Sequence, residues 1–351
     1  MRLKPSIDWL LVFVPVSIGA DIEHLEVVTF ITAALAVVPL AGLIGRSTEQ
    51  LAARVGPGRG GLLNATFGNL TELIVAALLV RSGQFAVAKA SLTGSITGNL
   101  LLVLGLAFVA GGVGRSEQRF SSRSAAVHSA SLVLAIGGLL MPAILVITTP
   151  QVSHADTEAI SILVGAVLIV TYMLMLLFTQ KTHSHLFESA GEGLVANWTA
   201  RRSAAVLLSA AVLVGVESEI LVSSLQPALA TLHIPAMFVG LILIPIIGNA
   251  AEHSSAITFA MRDRMNITLE IAIGSSSQVA LFVAPALVFI SLALGHPMDF
   301  VFTSFEIATL IVATFIVTLT CTDGRSNWLE GVQLVGTYVV IAAAAFFVGP
   351  G

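Results

Sequence analysis

GGLLNATFGNLTELI (60–74) and GNAAEHSSAI (248–257) carry one pattern, Gly-Asn-x-x-Glu, in surroundings that are otherwise largely apolar. A shift of 180 residues lays Gly68, Asn69 and Glu72 on Gly248, Asn249 and Glu252. The same ungapped shift lays Gly94 and Ser95, in ASLTGSITGNLLLV (90–103), on Gly274 and Ser275, in EIAIGSSSQVALFVAP (270–285). In both halves the Gly-Ser pair follows the Gly-Asn pair by 26 residues. Chance glycine matches are cheap in a chain with 30 glycines, but two polar clusters at equal spacing are not. The chain is therefore read as an internal repeat.

Composition says what solvent surrounds that repeat. The 351 residues are 56% hydrophobic and 10% charged, with a mean hydropathy of +0.97, far too apolar for a soluble domain of ordinary composition. Apolar segments of the length that crosses a bilayer, about 17 to 25 residues, recur along the chain. They fall at 7–20, 25–45, 62–80, 84–111, 124–148, 157–179, 203–229, 233–260, 267–294, 301–320 and 327–349. The expected fold is an all-α integral membrane protein of about eleven transmembrane helices. Alternating the turns between sides puts every Lys and Arg except Arg81 and Lys89 on one face. The positive-inside rule makes that face, and the N-terminus, cytoplasmic.

The division that follows is 1–22 for a first helix, 23–180 and 203–351 for two five-helix repeats, and 181–202 for a cytoplasmic linker, the one long polar interruption. Five helices per half is odd, so the second repeat enters the membrane from the opposite side, an inverted-topology arrangement typical of secondary transporters. The first segment, after Arg2 and Lys4, has some look of a signal peptide, but a retained helix keeps the charge alternation intact. The lone cysteine, Cys321, cannot form an internal disulfide and reads as packing.

Charged side chains deep in membrane helices cost about 2.5 to 3.5 kcal/mol on insertion scales, so each is a functional candidate. Glu72 is isolated between Arg59 and Arg81; between Arg202 and Arg262 the only charges are Glu217, Glu219 and Glu252. All are acids, as a cation pathway requires. Residues three apart share a helix face, so Asn69 with Glu72, and Asn249 with Glu252, set an amide oxygen beside a carboxylate. Ser95, Asn99, Ser275, Ser277 and Gln278 add further oxygens, a hard set suited to Ca²⁺ and unsuited to soft metals. Polar residues in membrane helices often serve only to hydrogen-bond a neighbouring helix, the alternative for each serine taken singly. That alternative is weak for the glutamates, which have no basic partner within the central parts of their helices. Glu49 and Glu219 are candidate access or gating carboxylates, His253 a gate residue or a packed imidazole, and Glu270, Glu306 and His128 stand behind these. Two carboxylates facing one cavity can be neutralised by one divalent cation or by two protons, and a carrier that crosses only when neutralised is an antiporter.

These stretches, with GRSTE (45–49), SEILV (218–222) and DGRSNWLEG (323–331), closely resemble the signature helices of the Ca²⁺/H⁺ antiporters, the cation/proton exchanger branch of the cation/Ca²⁺ exchanger superfamily, over nearly the whole chain. The resemblance implies a peripheral first helix, Ca²⁺ and proton binding by Glu72 and Glu252, polar lining by Asn69, Asn249, Asn99 and Gln278, and ion access through His253, Glu49 and Glu219. Leu70 stands where the family usually has alanine, and the linker is less acidic than in many members. A Na⁺-driven exchanger would want more oxygen ligands. A zincin-type hydrolase would want a second histidine at position 257, which is Ile257. A passive channel fits inverted halves less well. The expected partners are Ca²⁺, H⁺ and the lipid bilayer, with no nucleic acid and no resident cofactor. Homo-oligomerisation stays open, and the compact length suggests a prokaryotic cell membrane.

Overall fold

The computed structural model describes residues 7–55, 57–183 and 196–348. A 3-10 turn, Ile7–Val12, leads into α1 (Phe13–Ile22). Then follow α2 (Glu26–Val55), α3 (Pro57–Phe67), α4 (Leu70–Arg81), α5 (Phe85–Gly112), α6 (Ser122–Thr148) and α7 (His154–Thr182). The second series is α8 (Ala200–Leu232), α9 (Ala236–Met261), α10 (Met265–Ala293), α11 (Ser304–Thr320) and α12 (Trp328–Phe347). Most of the expected linker, residues 184–195, lies outside the described residues. Among the described residues eight helices are long and apolar enough to cross a membrane. With α1, α11 and the α3–α4 pair, the count of spans matches the eleven segments. Helices are the only open-ended way to satisfy backbone groups in hydrocarbon. Leu134 and Leu208, 70% and 69% exposed, sit comfortably only against lipid.

The third segment departs from the single helix expected at 62–80. It breaks at Gly68–Asn69 into α3 and α4, with Asn69 at φ −96° and ψ 21°. The Gly68 N–H still donates to the Asn64 carbonyl at 2.8 Å, but a Cβ on Gly68 would lie 2.5 Å from that oxygen, so only glycine fits the break. Its counterpart, Gly248–Asn249, lies inside an unbroken α9. The two halves therefore use one motif in two backbone settings.

Close helix approach depends on a few glycines at the crossings. α5 crosses α9 where a Cβ on Gly94 would meet the Leu241 carbonyl oxygen at 2.1 Å and one on Gly240 would meet Ala90 Cβ at 2.6 Å. α5 also crosses α12 at Gly105 and Gly331, each against the other's carbonyl oxygen. Small residues let membrane helices pack backbone to backbone where no hydrophobic effect drives them together. Gly98 and Gly248, by contrast, meet nothing closer than 4.0 Å.

Helix starts are fixed by capping boxes, Ser153 with Asp156, Thr303 with Glu306 and Asn327 with Glu330. This gives Glu306 a structural role: its Oε2 accepts from the Thr303 backbone N–H at 2.8 Å. α1 lies on α2 and α8, where Ser17 Oγ sits 2.6 Å from Glu217 Oε2, both residues fully buried. A short antiparallel ribbon, β1 (Gln118–Arg119) with β2 (Arg325–Ser326), ties the α5–α6 loop to the α11–α12 loop. Beside it Glu117 accepts from Arg119 at 2.8 Å and from Arg325 at 3.0 Å, and these guanidinium groups, Arg119 first, hold its carboxyl below the usual range. At another turn Lys89 pairs with Asp299 at 2.5 Å.

Candidate cation site

The α3–α4 break, α5, α9 and α10 bring the repeated polar residues together. Asn249 Nδ2 donates to Ser95 Oγ at 3.4 Å, and Ser275 Oγ lies 3.4 Å from Asn69 Oδ1. The 180-residue shift carries Asn69 onto Asn249 and Ser95 onto Ser275, so these two contacts are equivalents across the halves. Asn69 Nδ2 donates to Gln278 Oε1 at 2.7 Å, Asn99 Nδ2 reaches Ser275 Oγ at 3.4 Å, and Ser275 Oγ reaches Glu252 Oε2 at 3.2 Å. Glu72 lies within coulombic reach of Glu252 and beside the Asn249 amide. Its Oε1 is buried with no hydrogen-bond partner. An orphaned carboxylate oxygen is costly unless something cationic or a proton completes it.

The two carboxylates differ in access. A cavity of about 160 Å³ runs past Gly42, Arg46 and Glu49 to Glu252, Ser275 and Gln278, and Glu72 is not among its walls. Among the described residues no three His, Cys, Asp or Glu side chains converge as a metal cage. The oxygen set is thus two carboxylates completed by amides and hydroxyls, ligands that hard cations accept.

Most of the expected site residues meet here: Glu72, Glu252, Asn69, Asn249, Ser95, Asn99, Ser275 and Gln278, with Glu49 at the cavity. Ser277 does not. Its hydroxyl donates to the Ile273 carbonyl at 2.9 Å and lies 3.4 Å from the His128 carbonyl, so it faces α6. Glu219 also fails to reach the site. Its side chain is 51% exposed and pairs with Arg81 beside an apolar groove between α4 and α8. His253, one residue past Glu252, is half-buried and is not among the cavity's walls. Glu270 does line the cavity, where its Oε2 lies 2.8 Å from His128 Nε2. The sequence ranks it behind the other candidates because of its place at a segment end, although a carboxylate and an imidazole in neighbouring apolar helices were the available signal.

The architecture and the oxygen-lined site define a membrane carrier for cations. The sodium/calcium exchanger protein family model matches residues 25–180 and 202–347, and the chain belongs to that family. It is a transporter, not an enzyme. The chain is 44% identical to the Ca²⁺/H⁺ antiporter of Aphanothece halophytica, over 96% of this chain and 95% of the relative. It is 42% identical to that of Synechocystis sp., over 96% of each. The solved structure of native YfkE superposes with a TM-score of 0.86 at 34% identity, covering 98% of this chain and 100% of that one.

Proposed function

We propose that the chain exchanges Ca²⁺ for H⁺ by alternating access, with Glu72 and Glu252 as the carboxylates that Ca²⁺ and protons share. Ca²⁺ and H⁺ are the ions in the names of the Aphanothece and Synechocystis relatives. The single observation that carries the residue assignment is the pair of equivalent contacts, Asn69 with Ser275 and Asn249 with Ser95, framing the two glutamates. Asn69, Asn249, Ser275 and Gln278 supply the neutral oxygens, Ser95 and Asn99 hold these in place, and Glu49 stands on the access route. The repeats at 23–180 and 203–351, joined by the 181–202 linker, move against each other about this site.

Orientation follows from charge. Arg46 and Glu49 border the cavity, and Arg46 belongs to the face that carries nearly all the basic residues, which the positive-inside rule makes cytoplasmic. Glu252 is then open to the cytoplasm while Glu72 lies off the cavity's walls, an inward-facing state. The N-terminus is cytoplasmic, and the membrane is the cell membrane of a prokaryote.

The test is flux through purified protein in liposomes under an imposed pH gradient. Ca²⁺ uptake should follow the proton gradient without Na⁺, and E72Q and E252Q should each abolish it while the protein still elutes as a folded species. Uptake that needs a Na⁺ gradient would overturn the counter-ion, and exchange surviving in E252Q would overturn the site.

A further inference from the structure

Glu270 and His128 have no part in the exchange chemistry described above, yet the first shares the cavity with Glu252. The backbone explains how. α10 runs through a π-helical turn at Glu270–Gly274, in which the hydrogen bond spans five residues instead of four and brings positions i and i+5 together; such turns recur at functional sites. Glu270 and Ser275 are five apart, and both line the cavity into which Glu252 opens. In an uninterrupted α-helix the two would point well apart.

The pair itself is built into the wall. His128 Nε2 lies 2.8 Å from Glu270 Oε2, with the imidazole 4% exposed and the carboxylate 39% exposed toward the cavity. Gly274 leaves room for the carboxylate, since a Cβ there would lie 3.3 Å from Glu270 Oε1, while His128 Cε1 would stay in ordinary contact at 3.8 Å. His128 also lines a second cavity of about 10 Å³ with Ser121, Ser124 and Asn266, the room that one water needs. Ser121 caps the start of α6, where its backbone N–H donates to Asn266 Oδ1 at 2.7 Å. An imidazole therefore stands between the ion cavity and a water-sized, hydroxyl-lined pocket at a helix end. The charged groups sharing the ion cavity with Glu270 are Arg46 and Glu49 from α2 and Glu252 from α9.

We propose that His128 and Glu270 form a proton relay that carries protons between Glu252 and the pocket at Ser121. This rests on the exchange reading above. When Ca²⁺ displaces the proton of Glu252, its O–H bond breaks, and cavity water passes the proton to the pair. The pair, a charged Glu270 with a neutral His128, takes up that proton as an N–H on the imidazole. Release to water in the Ser121 pocket restores the neutral imidazole, so one proton enters and one leaves per passage. Histidine suits this work because its ordinary titration range lies near neutral pH.

The experiment is Ca²⁺/H⁺ exchange by the full chain in liposomes, in weak buffer and in concentrated imidazole buffer. E270Q and H128Q should bind Ca²⁺ at equilibrium but exchange about a hundredfold more slowly in weak buffer, the low end of what a positioned proton acceptor supplies. Imidazole, by carrying the proton instead, should restore most of the rate. E270D, which keeps the carboxylate, should outpace E270Q in weak buffer and separates relay from loss of fold. Variants as fast as wild type in weak buffer, or slow variants that imidazole does not rescue, would overturn the relay. Wild-type protein that fails to couple Ca²⁺ to protons would instead overturn the exchange reading.

Discussion

Asn249 Nδ2 lies 3.4 Å from Ser95 Oγ, joining the Glu252-bearing helix of the second half to α5 of the first. The equivalent contact, Ser275 to Asn69, runs the other way between halves at the same distance. Each half thus positions the amide beside the other half's hydroxyl, and neither half can assemble the site alone.

Breaking one of these contacts should weaken Ca²⁺ binding without abolishing it. Asn249→Ala removes the amide N–H that hydrogen-bonds Glu72, and Ser275→Ala removes the donor to Glu252. Hydrogen bonds to charged groups contribute about 1.5 to 3 kcal/mol, so each should raise the Ca²⁺ concentration for half-maximal exchange by about tenfold or more. Isotope uptake against Ca²⁺ concentration measures it.

The pH dependence has a fixed sign. Protonated carboxylates do not bind Ca²⁺, so on the loading side apparent affinity should rise with pH as protons leave Glu72 and Glu252. Linkage sets the slope by the number of protons released, up to about two log units per pH unit for two, flattening once both groups are ionised. Titrating Ca²⁺ affinity against pH gives that slope, and E252Q should reduce or abolish it.

Helix crossings make a stability prediction with its own control. Gly94→Ala drives a methyl group to 2.1 Å from the Leu241 carbonyl oxygen, whereas Gly98→Ala meets nothing within 4 Å. Overpacking costs about 1 to 3 kcal/mol, so G94A should lower the melting temperature in detergent and G98A should leave it near wild type.

The contacts of two glutamates two residues apart should differ in weight. Glu217 is fully buried against Ser17, with its Oε1 already lacking a partner, so Ser17→Ala should cost about 1 to 3 kcal/mol and loosen α1. The Arg81–Glu219 pair is about half exposed on both sides, and R81Q or E219Q should shift stability by less than about 1 kcal/mol. Thermal melts of the three variants decide it.

That contrast also marks where the sequence stops being legible. The repeat and the two motif glutamates are visible because a polar cluster in an apolar chain is rare and its equal spacing is rarer. Glu217 and Glu219 look alike because α8 is apolar around much of its circumference, so no polar stripe reveals which face meets protein and which meets lipid. Ser277 reads as site-lining from its neighbours, but a serine can turn its hydroxyl onto its own helix, as this one does onto the Ile273 carbonyl. The break at Gly68–Asn69 is invisible because the identical pair at Gly248–Asn249 continues a helix. Glu270 reaches the cavity only through a π-helical turn, which 3.6-residue periodicity does not predict.

The claim on which the rest depends is that Ca²⁺ and protons share the Glu72–Glu252 pair. Proton release on Ca²⁺ addition to purified, weakly buffered protein tests it most directly. The account predicts that wild-type protein releases protons as it binds Ca²⁺, and that E72Q and E252Q neither bind the ion tightly nor release protons. Ca²⁺ bound by wild-type protein across the acidic to neutral range with no proton released would contradict it.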